Sequence, residues 1–263
     1  MRKNQPIGVF DSGFGGFSVY NHLRQLMPNE NFIYIADSSW CPYGERSYEE
    51  VRSRAVRITE YLIQRNAKII VVACNTATAA AIELLRRKFP KMTFVGMEPA
   101  IKPAAKLTNT NVVGVLATQN TFNGQLYKET KKKYAGHIRV VVQIGFGLVE
   151  LVENNQTRSP EAIRLLEKYI QPMREAGADY LVLGCTHYPF LLHSIKIVAP
   201  QLNVIDPALP VAKRVLSLLS QKDLLNDGLM DYTAFYTTGA LGKLNDFARA
   251  FVTGNYITDA LQL

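Results

Sequence analysis

Ile69-Ile70-Val71-Val72-Ala73-Cys74-Asn75-Thr76-Ala77-Thr78 is the stretch whose reading decides the fold. Four aliphatic residues run into one cysteine and a polar turn, and Ala79-Ala80-Ala81-Ile82-Glu83-Leu84-Leu85-Arg86-Arg87 follows with helix-forming composition. An apolar run that short fits a strand buried on both faces of a parallel sheet, and Asn75, Thr76 or Thr78 is expected to cap the helix. Cys74 then stands at the carboxyl end of a strand and just before a helix amino terminus. Open α/β sheets bind ligands at that edge, and the helix end favours a thiolate.

The same construction recurs at Tyr180-Leu181-Val182-Leu183-Gly184-Cys185-Thr186-His187-Tyr188-Pro189. Upstream, Ile7-Gly8-Val9-Phe10-Asp11-Ser12 resembles Val113-Gly114-Val115-Leu116-Ala117-Thr118, each an apolar strand entering a hydroxyl-bearing loop. From Ile7 to Cys74 is 67 positions, and from Val113 to Cys185 is 72. The fold class expected is therefore α/β, with two similar lobes, each a mostly parallel sheet flanked by helices. Each lobe supplies one cysteine, and the active site is expected in the cleft between them.

At 263 residues the chain can bury a large core, as one big domain or two ordinary ones. With 48% hydrophobic and 20% charged residues, it is not a disordered polymer. No apolar run approaches the roughly 20 residues that a spanning helix needs, so no membrane partner is expected. Met1-Arg2-Lys3-Asn4-Gln5-Pro6 leads straight into a strand without a signal-peptide core, which makes the protein cytoplasmic by expectation. Three cysteines, an odd and small number, argue against a disulfide scaffold and leave free thiols. A net charge of +8 would attract anions or nucleic acid. Part of that excess is Lys128-Glu129-Thr130-Lys131-Lys132-Lys133, which reads as a solvated helical face.

Taken in order, residues 7–11 read as a strand, and Asp11-Ser12-Gly13-Phe14-Gly15-Gly16 follows as a loop. A glycine-rich turn after a first strand invites a phosphate-binding reading. Neither the three-glycine dinucleotide spacing nor a phosphate-binding lysine is present, and Asp11 would repel phosphate. A helix is expected from Phe17 to Met27, a strand over Asn31–Ala36, and a loop containing Pro42-Tyr43-Gly44 on the same edge as Asp11 and Cys74. A helix from Tyr48 to about Arg65 and a strand over Met92–Met97 complete the first lobe. Glu98-Pro99-Ala100-Ile101-Lys102-Pro103 reads as a crossing. The second lobe is expected to hold strands at 112–117, Ile138–Ile144, 180–184 and Leu202–Ile205. Its helices are a single one ending near Tyr134, one carrying Glu150 and Glu153 on one face, and one opened by Ser159-Pro160-Glu161. Beyond Asp206-Pro207, a helix (Pro210–Gln221), a strand (Tyr232–Thr237) and a helix around Lys243–Phe251 are too little for a core of their own. The expected domains are thus 1–97 plus 207–263, carrying Cys74, and 98–206, carrying Cys185.

Chemistry on a thiol requires the thiolate, so both cysteines need help against a free pKa of roughly 8.5. Asp11 is placed to reach Cys74, and His187 or Glu153 to reach Cys185. A phosphatase pattern would want arginine six positions after the cysteine, where Ala80 and Leu191 stand. Positions 41, 74 and 185 offer no paired metal spacing, and Cys185 with His187 is a poor metal pair, so no metal is expected. A Cys-His hydrolase leaves one cysteine redundant. Two thiols facing each other across a cleft explain the duplication: one base removes a proton from a carbon while a conjugate acid delivers another to the opposite face. Each residue also has a plainer explanation. A cysteine ending a strand is often a buried small hydrophobe, the reading kept for Cys41. Asp11 and Ser12 fit helix caps, and Glu153 fits a solvated helix face.

These residues resemble the aspartate/glutamate racemase superfamily across almost the whole chain. The likeness is carried by Gly8-Val9-Phe10-Asp11-Ser12-Gly13-Phe14-Gly15-Gly16, Pro42-Tyr43-Gly44, Ala73-Cys74-Asn75-Thr76-Ala77, Ala117-Thr118 with Thr121, and Leu183-Gly184-Cys185-Thr186-His187-Tyr188-Pro189. The resemblance implies cofactor-independent interconversion of L- and D-glutamate, supplying D-glutamate for peptidoglycan. It implies Cys74 and Cys185 as the proton donor/acceptors, Asp11 in support of Cys74, and His187 with Glu153 in support of Cys185. Ser12, Asn75, Thr76 and Thr186 would hold the ammonium and α-carboxylate. Tyr43, Gly44, Thr118 and Thr121 would hold the side-chain carboxylate through hydroxyl and backbone donors.

One departure precedes Glu153. Members usually carry a Cys-Pro-containing segment there, and this chain has Gly145-Phe146-Gly147-Leu148-Val149-Glu150, so a differently shaped cleft wall is expected. The amino-terminal extension of members regulated by a cell-wall precursor is not seen, and such activation is not expected. An aspartate racemase is the nearest alternative, separated by pocket depth at Tyr43, Gly44 and Thr121. A basic nucleic-acid- or gyrase-binding protein is a remote one, because basic and aromatic residues do not interleave on one face. The oligomeric state is left open, with a homodimer among the options.

Overall fold

Unbroken apolar runs too short for helices become strands covered on both faces, as parallel sheets require. The computed structural model describes residues 1–229 and 232–263. Its strands are β1 (Ile7–Asp11), β2 (Phe32–Ala36), β3 (Ile69–Val72), β4 (Phe94–Gly96), β5 (Val112–Ala117), β6 (Arg139–Ile144), β7 (Tyr180–Gly184), β8 (Asn203–Ile205), β9 (Thr233–Thr237) and β10 (Ile257–Ala260). Among the described residues they form two all-parallel sheets, ordered β10-β9-β2-β1-β3-β4 and β6-β5-β7-β8, with helices as the connections. The arrangement β2-β1-β3-β4 in one sheet is repeated as β6-β5-β7-β8 in the other. In both, the strand order reverses beside the central pair, β1/β3 or β5/β7. A crevice opens at the carboxyl ends of strands where the order reverses. Phe10 pairs with Val72 and Ala117 with Gly184, so Asp11 and Cys74 leave one crevice, and Thr118 and Cys185 the other.

Local signals explain some of the helix starts. Ser47 and Glu50 form a reciprocal capping box for Tyr48–Gln64, and Ser159 caps Pro160–Glu175 with proline at its first position. Phe17 stacks on Tyr34 with centroids 4.2 Å apart and meets Phe235 of β9 edge-on at 4.9 Å, which ties the carboxyl-terminal segment to the first sheet. One apolar cluster includes Val9 and Phe17 beside the first sheet and Leu116 and Leu183 of the second. No helix among the described residues is long and apolar enough to cross a membrane.

Four elements differ from expectation. Cys74, not Asn75, Thr76 or Thr78, is the cap of Asn75–Lys88: its backbone is extended, and its sulfur accepts from the Ala77 N–H at 3.4 Å. The supposed crossing contains a helix, Ile101–Leu107, because Pro103 falls in the first turn, where a missing N–H costs nothing. The helix expected after Thr118 is two, Gln119–Asn123 and Gln125–Tyr134, separated by extended backbone at Gly124. Finally, β10 adds to β9 although Ile257-Thr258-Asp259-Ala260 is mostly exposed and carries no apolar run.

A buried ion pair fastens the edge of the sheet opposite the site. Lys68, 1% exposed, meets Glu30, 2% exposed, and also donates to the carbonyls of Lys3 and Leu224, while Glu30 accepts from the Asn226 N–H. Removing one partner leaves the other charge buried and uncompensated. Lys68→Met is therefore expected to lower the unfolding free energy by about 3–5 kcal/mol. Chemical denaturation checks this, and a loss below 1 kcal/mol would contradict it.

Candidate active site

Asp11 ends β1 fully buried and acts as a junction between the two crevices. Its Oδ2 accepts from the Gly16 N–H at 2.7 Å and from the Thr186 hydroxyl at 3.2 Å, and the Ser12 hydroxyl lies 3.4 Å from Oδ1. Ser12 Oγ is also 4.0 Å from Cys74 Sγ. One carboxyl thus connects the Cys74 turn with the turn that carries Cys185. Burial pushes the Asp11 carboxyl up, with the charge of His187 pulling the other way.

Cys74 and Cys185 are both buried, at 5% and 7% exposure. The helix end had been expected to favour the Cys74 thiolate. Instead burial, then the negative charge of Asp11, holds the thiol well above its ordinary range; the Ala77 N–H opposes this and the Cys185 sulfur adds to it. A single dipole end does not outweigh desolvation plus a neighbouring carboxylate. Resting Cys74 is therefore a protonated acid, and a ligand's positive charge beside it would favour ionisation. In Asp11→Asn the carboxylate's repulsion is gone, so the thiolate is relieved and the midpoint for alkylation of Cys74 by iodoacetamide should move to lower pH. The rate followed against pH in a Cys41→Ser/Cys185→Ser background measures it, and an upward move would refute the assignment of sign.

On the other side, Cys185 Sγ lies 3.7 Å from His187 Nδ1, and His187 Nε2 is 2.7 Å from Glu153 Oε1. Burial works against the imidazolium, but bonds to Cys185, Cys41 and Glu153 outweigh it and hold His187 well above its ordinary pKa. His187 thus faces the sulfur with Nδ1 and the carboxylate with Nε2, which also lies 3.3 Å from the Gly15 N–H. Glu153 Oε1 also accepts from the Phe14 N–H at 2.6 Å.

The glycine-rich loop owes its composition to these contacts and not to phosphate. A Cβ at Gly13 would overlap the Glu153 carboxylate, and one at Gly15 would lie 2.6 Å from Cγ of His187. The departed segment supports the same pair: Gly147, at φ +80°, turns the chain into Leu148–Glu153, while Tyr169 and Tyr188 donate to the carbonyls of Phe146 and Gly145. Glu153 sits at the last turn of that helix, facing His187.

The remaining residues close one wall. Thr76 Oγ1, Thr118 Oγ1 and Thr121 Oγ1 form a hydroxyl chain with steps of 2.8 and 2.9 Å across the two sheets. Gly44 packs against Thr118, and Asn120 donates to the carbonyls of Tyr43 and Arg46 at 3.1 and 2.7 Å. The Tyr43 hydroxyl, expected to face a ligand, instead donates to Asp37 at 2.6 Å, because Asp37 is itself held by Arg54 at 2.7 and 2.9 Å. What Tyr43 can offer a ligand is its backbone. Both side-chain amide atoms of Asn75, 3% exposed, have no hydrogen-bond partner among the described residues, a rare and costly arrangement for a buried polar group.

Sequence reasoning missed three residues here: Asp37, Arg54 and, in its placement, Cys41. Asp37 and Arg54 brace the Tyr43 turn, and a signal existed: Arg54 interrupts the buried stripe Val51, Ala55, Ile58, Leu62 of its helix. Cys41, read as a small hydrophobe, is beside His187, and burial pushes its thiol up to about 12. No local pattern reveals that proximity.

A family model described as Asp/Glu/Hydantoin racemase matches residues 7–215. A glutamate racemase of Ectopseudomonas mendocina is 45% identical over 248 residues, covering 93% of this chain and 94% of its own. The crystal structure of a glutamate racemase from Bacillus anthracis superposes with a TM-score of 0.88 at 31% identity, covering 100% of this chain and 99% of that one. A glutamate racemase from Francisella tularensis, solved in complex with D-glutamate, gives 0.87 at 29% identity over 99% and 98%. The duplicated parallel sheets, with a cysteine at each reversal of strand order, and the likeness along the chain lead to one conclusion: the chain belongs to the aspartate/glutamate/hydantoin racemase family.

Proposed function

We propose that this protein interconverts L- and D-glutamate with its own side chains as acid and base. The observation that carries this is the Asp11 junction, which links the surroundings of the two thiols to each other. In the proposed reaction one thiolate removes the α-proton while the opposite thiol delivers a proton to the other face. The partly carbanionic carbon between them is planar, so delivery from the far side inverts it. Cys74 works with Asp11 and Ser12, and Cys185 with the imidazolium of His187, held by Glu153. Asn75, Thr76, Thr186 and Ser12 bind the α-carboxylate and ammonium, and the start of Asn75–Lys88 adds backbone donors that favour an anion. The Thr118–Thr121 hydroxyls with the backbone of Tyr43 and Gly44 receive the side-chain carboxylate. The lobes that carry the two thiols are taken as 1–97 with 207–263, and 98–206.

The D-glutamate complex of the Francisella tularensis enzyme supports the substrate assignment. Within a cell the role proposed is cytoplasmic supply of D-glutamate to peptidoglycan, hence to cell-wall construction and cell shape. The test is incubation with L-glutamate or L-aspartate in deuterated water. Loss of the α-proton NMR signal together with decay of optical rotation is expected for glutamate. Exchange of aspartate alone would transfer the assignment to that substrate, and exchange of neither would refute it.

A further inference from the structure

The fold assembles Cys41, Glu153 and His187 from three separate places: the loop after β2, the helix Leu148–Glu153 and the turn after β7. One donor atom from each lies within 4.8 Å of the other two. Their spacing along the chain gives no hint of this, which is why the sequence suggested no metal pair. Thiol, imidazole and carboxylate together make the mixed sulfur, nitrogen and oxygen set that suits zinc. The group is also held in place, since Phe14 donates to Glu153 at 2.6 Å and Glu153 is 2.7 Å from His187. A cleft of about 380 Å³, lined by Cys41 and Glu153 together with Glu150, Asn154 and Lys243, gives entry as far as those two ligands; His187, 1% exposed, does not line it. Neither Cys74 nor Cys185 lines it.

We propose that Cys41, His187 and Glu153 form an inhibitory zinc site entered from that cleft. Binding forms Zn–S, Zn–N and Zn–O bonds and releases the Cys41 thiol proton and the imidazolium proton to solvent, leaving a fourth position for water. The ion contributes nothing to the reaction. It replaces the imidazolium beside Cys185 with a zinc-bound imidazole tied to Cys41 and Glu153, and so impairs proton delivery on one face. This loss of activity rests on the racemase reading, whereas metal binding does not.

Cobalt(II) is the probe. Titration of the whole protein should give a thiolate-to-cobalt absorption band in the near ultraviolet, saturating at one equivalent and removed by zinc. Zinc should inhibit glutamate racemisation without competing with glutamate, and EDTA should reverse it. In Cys41→Ser the band should vanish and zinc affinity fall at least about tenfold, as expected for loss of a ligand where even outer partners cost 10–100-fold. Each variant is compared with its own metal-free rate, which also shows that it is folded. A cobalt band or zinc sensitivity that survives in Cys41→Ser, or inhibition competitive with glutamate, would place the ion on Cys74 or Cys185 and overturn the proposal. A wild-type protein that binds no cobalt would do the same. Binding at this site in a protein that racemises nothing would sink the racemase reading and leave the site standing.

Discussion

Cys185→Ser is expected to lower glutamate racemisation by about 10³-fold or more, within the range of roughly 10²–10⁴ that one acid/base group contributes, and Cys74→Ser by a similar factor. A serine hydroxyl is far less acidic than a thiol, so it can neither hold the abstracted proton's place as an anion nor release one in time. The two substitutions should be asymmetric in a telling way. With one thiol left, the enantiomer whose α-hydrogen faces that thiol can still lose the proton and regain a solvent-derived one from the same side. Deuterium then enters one enantiomer while optical rotation stays constant, and the enantiomer that exchanges should differ between the two variants. NMR exchange and polarimetry on the same samples separate these events. Full racemisation by either variant would end the two-thiol scheme.

Gly15→Ala is expected to reduce kcat/KM about 100-fold, through the His187 ring that it would displace. The added methyl would stand 2.6 Å from Cγ of a His187 ring that is 1% exposed and tied to Glu153 at 2.7 Å, so the ring has nowhere to yield without leaving Cys185. A misplacement of about 1 Å in a catalytic group is enough for a loss of that size. Gly242→Ala is the matching control. It lies in the helix Leu241–Phe251, nothing among the described residues stands within 4 Å of the new methyl, and activity should be unchanged. Thermal melting of both variants separates a displaced ring from an unfolded chain. A Gly15→Ala enzyme with wild-type kcat/KM would show that His187 does not need its present position.

Much of the architecture was legible because parallel strands leave a strong mark. Ile69–Val72 and Tyr180–Gly184 are apolar runs of the right length, and the polar turn after each begins a helix or helical turn. Repetition of that unit announced two sheets before either was seen. β10 left no such mark, because an exposed edge strand is held by backbone pairing alone, and its sequence is free to be polar. The site divides in the same manner. Residues at strand ends, such as Asp11, Cys74, Thr118 and Cys185, could be nominated from position in the chain. The Asp37–Arg54 brace behind Tyr43 and the approach of Cys41 to His187 depend on how loops from different strands lean together, which no local pattern encodes.

The unlike company kept by the two thiols, a carboxyl and a hydroxyl on one side and an imidazolium with its carboxylate on the other, invites the thought that one handedness is favoured. Mirror-image amino acids have identical free energies in an achiral solvent, and the Haldane relation then compels equal specificity constants for the forward and reverse directions. Unequal neighbours can tilt turnover and saturation only together and in compensation. A directional preference at low concentration is something this chemistry cannot possess.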